Sequence, residues 1–269
     1  MITNTIATMR IAKLFALLSI LFIACTPEEQ APEVAKVPAQ PNWVYFLADG
    51  TDVETKRTAI PHLDTAYMAQ VIDLLLAHGG GKVWLNWVDA QSGDNEALYL
   101  DLPVVANTWS MPERKSMESE DDYRKRQRSL QPDSIKEATA YQRSMDRIAA
   151  KRARFLADAQ RLLETVVYPH GHKQHNQSDV HGAMNNAYRV LSGPADAVPG
   201  NKIIVGFSDL WHFVGKSKPI ALDAMPADVE TIIVYPNADL SKVAVKEARI
   251  MEHPDRAMEL IEDAIITAH

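Results

Sequence analysis

The sequence predicts an α/β fold, namely a doubly wound, mostly parallel sheet flanked by helices and carrying a long helical insertion. Short apolar runs typical of buried strands alternate with longer segments of helical periodicity. Turn-forming residues, among them three glycines at 79–81, separate several of these segments. Hydrophobic residues make up 46% of the 269 residues and charged residues 23%, which is the composition of a globular chain.

The charge of the chain argues against nucleic acid as a partner. The formal net charge is −7 at pH 7, and no stripe of basic residues dominates. Cys25 is the single cysteine, so an internal disulfide and a cysteine-based zinc site are both excluded.

Residues 1–24 have the organisation of a bacterial export signal. Arg10 and Lys13 precede an apolar run over residues 14–24, which at about 11 residues is too short to cross a bilayer as a helix. The run ends in Ala24-Cys25, which resembles the bacterial lipobox, although Phe22 stands where that motif usually has Leu. The resemblance implies cleavage before Cys25 and a covalent lipid there that attaches the protein to a membrane. An uncleaved N-terminal anchor is the alternative.

Residues 25–42 are rich in proline, alanine and glutamate, and this composition predicts a flexible tether rather than part of a core. Within the lipoprotein interpretation, Thr26 after the cysteine favours the outer membrane of the cell envelope over the inner membrane. We expect residues 43–269 to form the α/β domain.

The first half of this domain begins with a continuous apolar run at residues 43–48, which indicates a strand buried on both faces. Helical spacing of apolar residues predicts a helix over about 63–77, which the three glycines end. Strands are predicted at 82–88 and 96–102, and the turn residues between them indicate a hairpin or two closely neighbouring strands.

A helical insertion is predicted over about residues 107–166. Its first part, 107–131, is polar and charged and is interpreted as a surface segment, and Pro132 then opens a long helix. Five apolar residues form a stripe that we expect to pack on the sheet, with a partner-binding face as the alternative. They are Ile148, Phe155, Leu156, Leu162 and Leu163.

The remaining elements complete the alternation of strands and helices. A helix is predicted at 179–191, buried strands at 202–207 and 229–235, and a closing helix at 254–268. In parallel sheets the functional crevice lies beyond the C-terminal ends of the strands. Asp49 and Asp209 both follow predicted strands and therefore belong to that edge.

Three segments then carry a resemblance to a known family. Asp-Gly-Thr-Asp-Val at 49–53 follows the first strand, and Ser-Asp-Val-His-Gly-Ala-Met-Asn-Asn-Ala at 178–187 opens a helix. Ser208-Asp209 follows a later buried strand. In this order they resemble the von Willebrand factor A family, the fold of integrin I domains. That family binds Mg²⁺ or Mn²⁺ through Asp-x-Ser-x-Ser, a Thr at a helix start and a later Asp.

The resemblance implies a metal site with a position open for the carboxylate of a protein or peptide partner. Its implied ligands are Asp49, Thr51, Ser178 and Asp209. Mg²⁺ prefers such hard oxygen ligands. Val53 departs from the family pattern because it stands where a second Ser should supply an oxygen, and Asp52 and Asp179 are additional candidates. In the alternative interpretation, Asp49 and Ser178 only cap helices and Asp209 only orders a turn.

The sequence leaves a second metal site and a hydrolase function open, and it argues against a phosphatase mechanism. His170, His172 and His175 form a second candidate metal site, because neutral imidazoles bind Zn²⁺, Ni²⁺ or Cu²⁺. A metal-dependent hydrolase using this loop or the acidic crevice is the alternative to a binding module, and a structural envelope protein acting through its long helix is a third hypothesis. Haloacid dehalogenase-like phosphatases also begin with an apolar strand, which ends in Asp-x-Asp-Gly-Thr, and Asp49-Gly50-Thr51 resembles the tail of that motif. Leu47, however, occupies the position of their nucleophilic Asp, so no phosphoaspartyl intermediate could form there.

Overall fold

The computed structural model describes residues 41–50, 61–105, 113–169, 177–192, 200–210, 212–214, 220–235, 245 and 248–267. Strands in these residues are β1 (Asn42–Asp49), β2 (Gly81–Val88), β3 (Leu98–Leu102), β4 (Lys202–Phe207), β5 (Val229–Val234) and β6 (Arg249–Met251). Helices are α1 (Thr65–Ala77), α2 (Glu120–Leu162), α3 (Val180–Ser192) and α4 (Pro254–Ile266). None of the helices in these ranges has the length and hydropathy to cross a membrane.

The six strands form one sheet in the order β3-β2-β1-β4-β5-β6. All neighbours are parallel except β2 and β3, which form the predicted antiparallel hairpin. The order runs outward in opposite directions from the β1–β4 pair, so the topological switch point of the sheet lies between these two strands. The predicted α/β class and the mostly parallel sheet are thereby confirmed.

Helices cover both faces of the sheet. One apolar cluster joins α1, α2 and α4 to one face, and a second cluster joins α3 to the other face. Neighbouring residues of β1 contribute to different clusters, Phe46 to the first and Tyr45 to the second, and both are fully buried. The continuous apolar run of β1 is therefore explained by burial on both faces, as predicted.

The start of the long helix differs from the prediction. We expected Pro132 to open it after a surface segment over 107–131, but α2 begins at Glu120 and Pro132 lies inside it on the exposed side. Ser119 is the N-cap, and its hydroxyl oxygen accepts a hydrogen bond from the Asp122 amide at 3.2 Å. This cap and the acidic first turn favour a helix that begins here, and the helix continues past Pro132 although that residue has no amide hydrogen to donate.

The C-terminal half of α2 belongs to the core. Ile148, Phe155 and Leu163 of the predicted stripe are buried, and Leu156 and Leu162 pack against the same cluster while partly exposed. The helix continues into a π-helical turn, Leu163–Val167. The expectation that the stripe packs on the sheet is confirmed. The short strand β6 was not predicted, since three residues show no periodicity.

Candidate functional site

The two strands at the switch point end side by side. Ala48 of β1 pairs with Phe207 of β4, so Asp49 lies beside Ser208. The Ser208 hydroxyl donates a hydrogen bond of 2.6 Å to Oδ2 of Asp49. Both residues are almost completely buried, with 0% and 1% of their surface exposed. This short hydrogen bond joins the two strand ends that the sheet order brings together.

The chain turns sharply just after this bond. The Leu210 amide donates to the Ser208 hydroxyl oxygen at 2.9 Å, and Leu210 has a φ of 54°. A branched apolar residue rarely adopts this left-handed conformation, which costs of the order of 1–3 kcal/mol. Leu210 is nevertheless 2% exposed, so its burial helps to offset the cost.

A second wall of the crevice comes from the end of the π-helical turn. Gly50 lies so close to the Val167 carbonyl that a Cβ atom at residue 50 would overlap it. The Tyr168 hydroxyl oxygen accepts a bond of 3.2 Å from the Leu63 amide, and the His62 ring stacks on Tyr168 at 4.0 Å. Burial raises the pKa of Tyr168 well above its ordinary value despite this hydrogen bond, and the charge of Asp49 raises it further.

The start of α3 is fixed by the residue after Ser178. Asp179 accepts a hydrogen bond of 2.9 Å from the Gly182 amide and therefore caps the helix. Ser178 is buried and exchanges two backbone hydrogen bonds with Phe213, of 2.7 and 2.8 Å. The bond to the Gly182 amide comes from Asp179, the residue after the Ser178 that the alternative interpretation names as a cap.

The β4–β5 connection is held against α3 by polar contacts that the sequence did not reveal. The rings of His181 and His212 stack at 3.8 Å, and His212 Nδ1 lies 3.8 Å from the Asp179 carboxylate. Asn185 donates to the Ala221 carbonyl and accepts from the Asp223 amide, both at 2.8 Å. No local pattern marks His212, since its partners lie about thirty residues away.

A third carboxylate at this edge, Asp89 after β2, was also missed. It accepts hydrogen bonds from the Trp87 indole at 2.9 Å, the Gln91 amide at 2.8 Å and the Asn95 side chain at 3.3 Å. These three donors satisfy both carboxylate oxygens, so Asp89 orders the β2–β3 turn. Its backbone carbonyl also accepts from the Asp179 amide at 2.7 Å.

Some of the predicted metal ligands lie within the described residues. Asp49 is the last residue of β1, Asp209 lies two residues beyond the end of β4, and Ser178 and Asp179 directly precede α3. Other predicted residues lie outside the described ranges: Cys25, Thr51, Asp52, His170, His172 and His175. Within the described ranges, no three or more His, Cys, Asp or Glu residues are arranged to hold a metal ion.

The donor chemistry at the switch point nevertheless suits Mg²⁺ or Mn²⁺. Asp49 and Ser208 bring a carboxylate and a hydroxyl together, and Asp209 is the next residue along the chain. These are hard oxygen donors, and soft ligands are absent from this set. No protein-family model matches the chain, and no curated protein is similar to it in sequence.

Proposed function

We propose that residues 43–269 form a von Willebrand factor A-like binding module that takes a protein or peptide ligand at the crevice between β1 and β4. The hydrogen bond between Ser208 and Asp49 carries this proposal, because it brings the first and third motif segments to one point. Ligands of open α/β sheets bind at such a switch point.

The proposed site includes a divalent metal ion, Mg²⁺ or Mn²⁺. Asp49 and Asp209 would supply carboxylate oxygens, and Thr51 and Ser178 hydroxyl oxygens. The support is the order of the three motif segments and the position of two of them at adjacent strand ends. Val53 leaves this set one oxygen short of the family motif, so we expect weaker metal binding than the full motif would give.

Thermal unfolding with and without metal tests this site. We expect Mg²⁺ or Mn²⁺ to raise the melting temperature, because an ion that binds only the folded state stabilises it. Asp209→Ala should remove the increase, whereas Asp133→Ala, on the exposed surface of α2, should keep it. A melting curve that Mg²⁺, Mn²⁺ and EDTA all leave unchanged would remove the metal from the proposal. Turnover of phosphoester or peptide substrates would instead favour the hydrolase alternative.

We further propose that the protein is a lipoprotein of the bacterial cell envelope, with acyl chains on Cys25 and the outer membrane as its destination. The signal-like segment and the single cysteine at its end support this. Mass spectrometry of the mature protein should find acyl mass on Cys25. Cys25→Ser should yield unlipidated precursor in the membrane fraction, and a mature protein with an unmodified cysteine would contradict the proposal.

A further inference from the structure

One edge of the sheet is formed by β3. Within the described residues β3 pairs only with β2, and no strand lies against its outer side. An edge strand presents backbone donors and acceptors that can pair with another extended chain. Proteins that recognise peptides by strand addition use such an edge together with neighbouring side-chain pockets.

A groove runs between this edge and α2. One part of it has a volume of about 370 Å³ and is lined by residues 98–101 of β3 and by Lys151, Arg154 and Phe155 of α2. The side chains of successive strand residues point to opposite faces of the sheet, so side chains from one face could line the groove only at every second position. Because four consecutive residues of β3 line it, the groove also borders the backbone edge of that strand. An adjoining part of about 360 Å³ is lined by Val104, Arg147 and again Lys151, so the groove continues beyond the strand end.

The helix side of the groove is positively charged, although the chain as a whole carries a net charge of −7. Arg147, Lys151 and Arg154 follow one another at helical spacing. Arg154 is 3.8 Å from Asp158, which also pairs with Arg161 at 3.2 Å. Neither Arg147 nor Lys151 has an ion pair or hydrogen bond with any described residue.

Two acidic groups also line the groove, Asp101 of β3 and Asp158 of α2. Asp158 pairs with Arg154 and Arg161 on the helix side. Among the described residues Arg147 and Lys151 have no ion pair, so these two cations set the charge that a ligand meets on the helix side of the groove. Exposed apolar side chains lie beside them, since Tyr99 is 50% and Val104 56% exposed.

We propose that this groove binds an extended acidic segment of a partner protein, which adds to β3 as a further strand. Its backbone would pair with the outer edge of β3. Its alternate side chains would be carboxylates facing Arg147 and Lys151, and the side chains between them would be apolar and pack over Tyr99. This surface lies on an outer strand rather than at the β1–β4 switch point, so the two proposals stand independently.

Fluorescence anisotropy with the full chain tests the proposal. The probe is a labelled octapeptide of alternating glutamate and valine. We expect saturable binding that weakens with added salt, and a loss of affinity of at least ~10-fold in the double variant Arg147→Glu, Lys151→Glu. The matched control is Lys136→Glu, Arg143→Glu, which reverses two exposed charges on α2 outside the groove and should bind as wild type. Asp209→Ala should also bind as wild type.

Two further measurements separate strand addition from general charge attraction. Binding should slow hydrogen exchange at the amides of residues 98–102. Two probes methylated on alternate backbone nitrogens, one at odd and one at even positions, should differ, because an added strand pairs through only one of its edges. Equal binding of both methylated probes, equal binding of a lysine–valine probe, or no saturation at ~1 mM peptide would overturn the proposal. So would a dimer of the chain that the double variant dissociates, since the occupant would then be a second copy.

Discussion

The Ser208 hydroxyl donates a 2.6 Å hydrogen bond to the buried carboxylate of Asp49, across 159 positions of sequence. It joins the ends of β1 and β4 at the point where the strand order reverses. The same hydroxyl oxygen accepts from the Leu210 amide and so supports the left-handed turn that follows. One side chain thus stabilises both a carboxylate with no exposed surface and the backbone beside it.

Removing this hydroxyl should destabilise the domain. We expect Ser208→Ala to lower the free energy of unfolding by about 1–3 kcal/mol, because a buried carboxylate and a buried amide each lose a partner. Ser129→Ala is the control, since that exposed hydroxyl bonds to a carbonyl of its own helix. Urea unfolding of both variants measures the difference. Equal midpoints would show that the Asp49 bond contributes nothing net.

A methyl group at residue 50 should disturb the wall of the crevice. Gly50→Ala places a Cβ atom onto the Val167 carbonyl, and we expect a loss of about 1–3 kcal/mol as the π-helical turn moves away. Gly93→Ala is the matched control, because its nearest contact would be an ordinary 3.6 Å from Gly182. Thermal or urea unfolding distinguishes the two variants. If Gly50→Ala is no less stable than Gly93→Ala, the close approach of Val167 is not a constraint on the fold.

Mild acid should loosen the contact between α3 and the β4–β5 connection. Burial and, after it, the nearby His181 lower the pKa of His212, and Asp179 opposes them. His212 therefore takes up a proton at a higher pH in the unfolded chain than in the folded chain. The contribution of neutral His212 to stability is present in full above about pH 6.5, the ordinary histidine pKa. It is lost as the pH falls from there towards the lowered pKa of the folded state.

The variant His212→Gln tests this pH dependence. The fall in the urea midpoint between about pH 7.5 and pH 5.5 should be smaller in the variant than in wild type, because the group with the lowered pKa has been removed. His253→Gln, at the exposed start of α4, is the matched replacement of one imidazole outside this contact. An unchanged fall in His212→Gln would mean that other groups cause the acid sensitivity.

The two halves of α2 should respond differently to truncation. Phe155 is 5% exposed within the core, so Phe155→Ala should cost about 3–5 kcal/mol of stability. Ile135 is 60% exposed on the same helix, and Ile135→Ala should change stability by no more than about 0.5 kcal/mol. Chemical denaturation gives both values. Similar losses would indicate that the N-terminal half of α2 is also packed.

Several elements could be predicted from the sequence because their signals are local. β4 was predicted with its observed bounds, and the β2–β3 hairpin was predicted from turn residues and flanking apolar runs. The start of α2 was predicted wrongly, although its signal, Ser119 before three acidic residues, was local as well. Pro132 favours a helix start, but the helix runs through it, so the proline does not mark the boundary.

The sequence by itself determined the alternation of strands and helices, the burial of β1 on both faces and the position of Asp49 and Asp209 at the C-terminal ends of strands. These depend on periodicity and turn chemistry within about ten to twenty residues. Only the tertiary structure decided that Asp49 bonds to Ser208, that Asp179 caps α3, and that His181 stacks on His212. The first and last of these contacts join side chains far apart in the chain, and the sheet order alone places β1 beside β4. The Asp179 cap is a local bond to the Gly182 amide, and the Ser178 backbone beside it is paired with Phe213 of the β4–β5 connection.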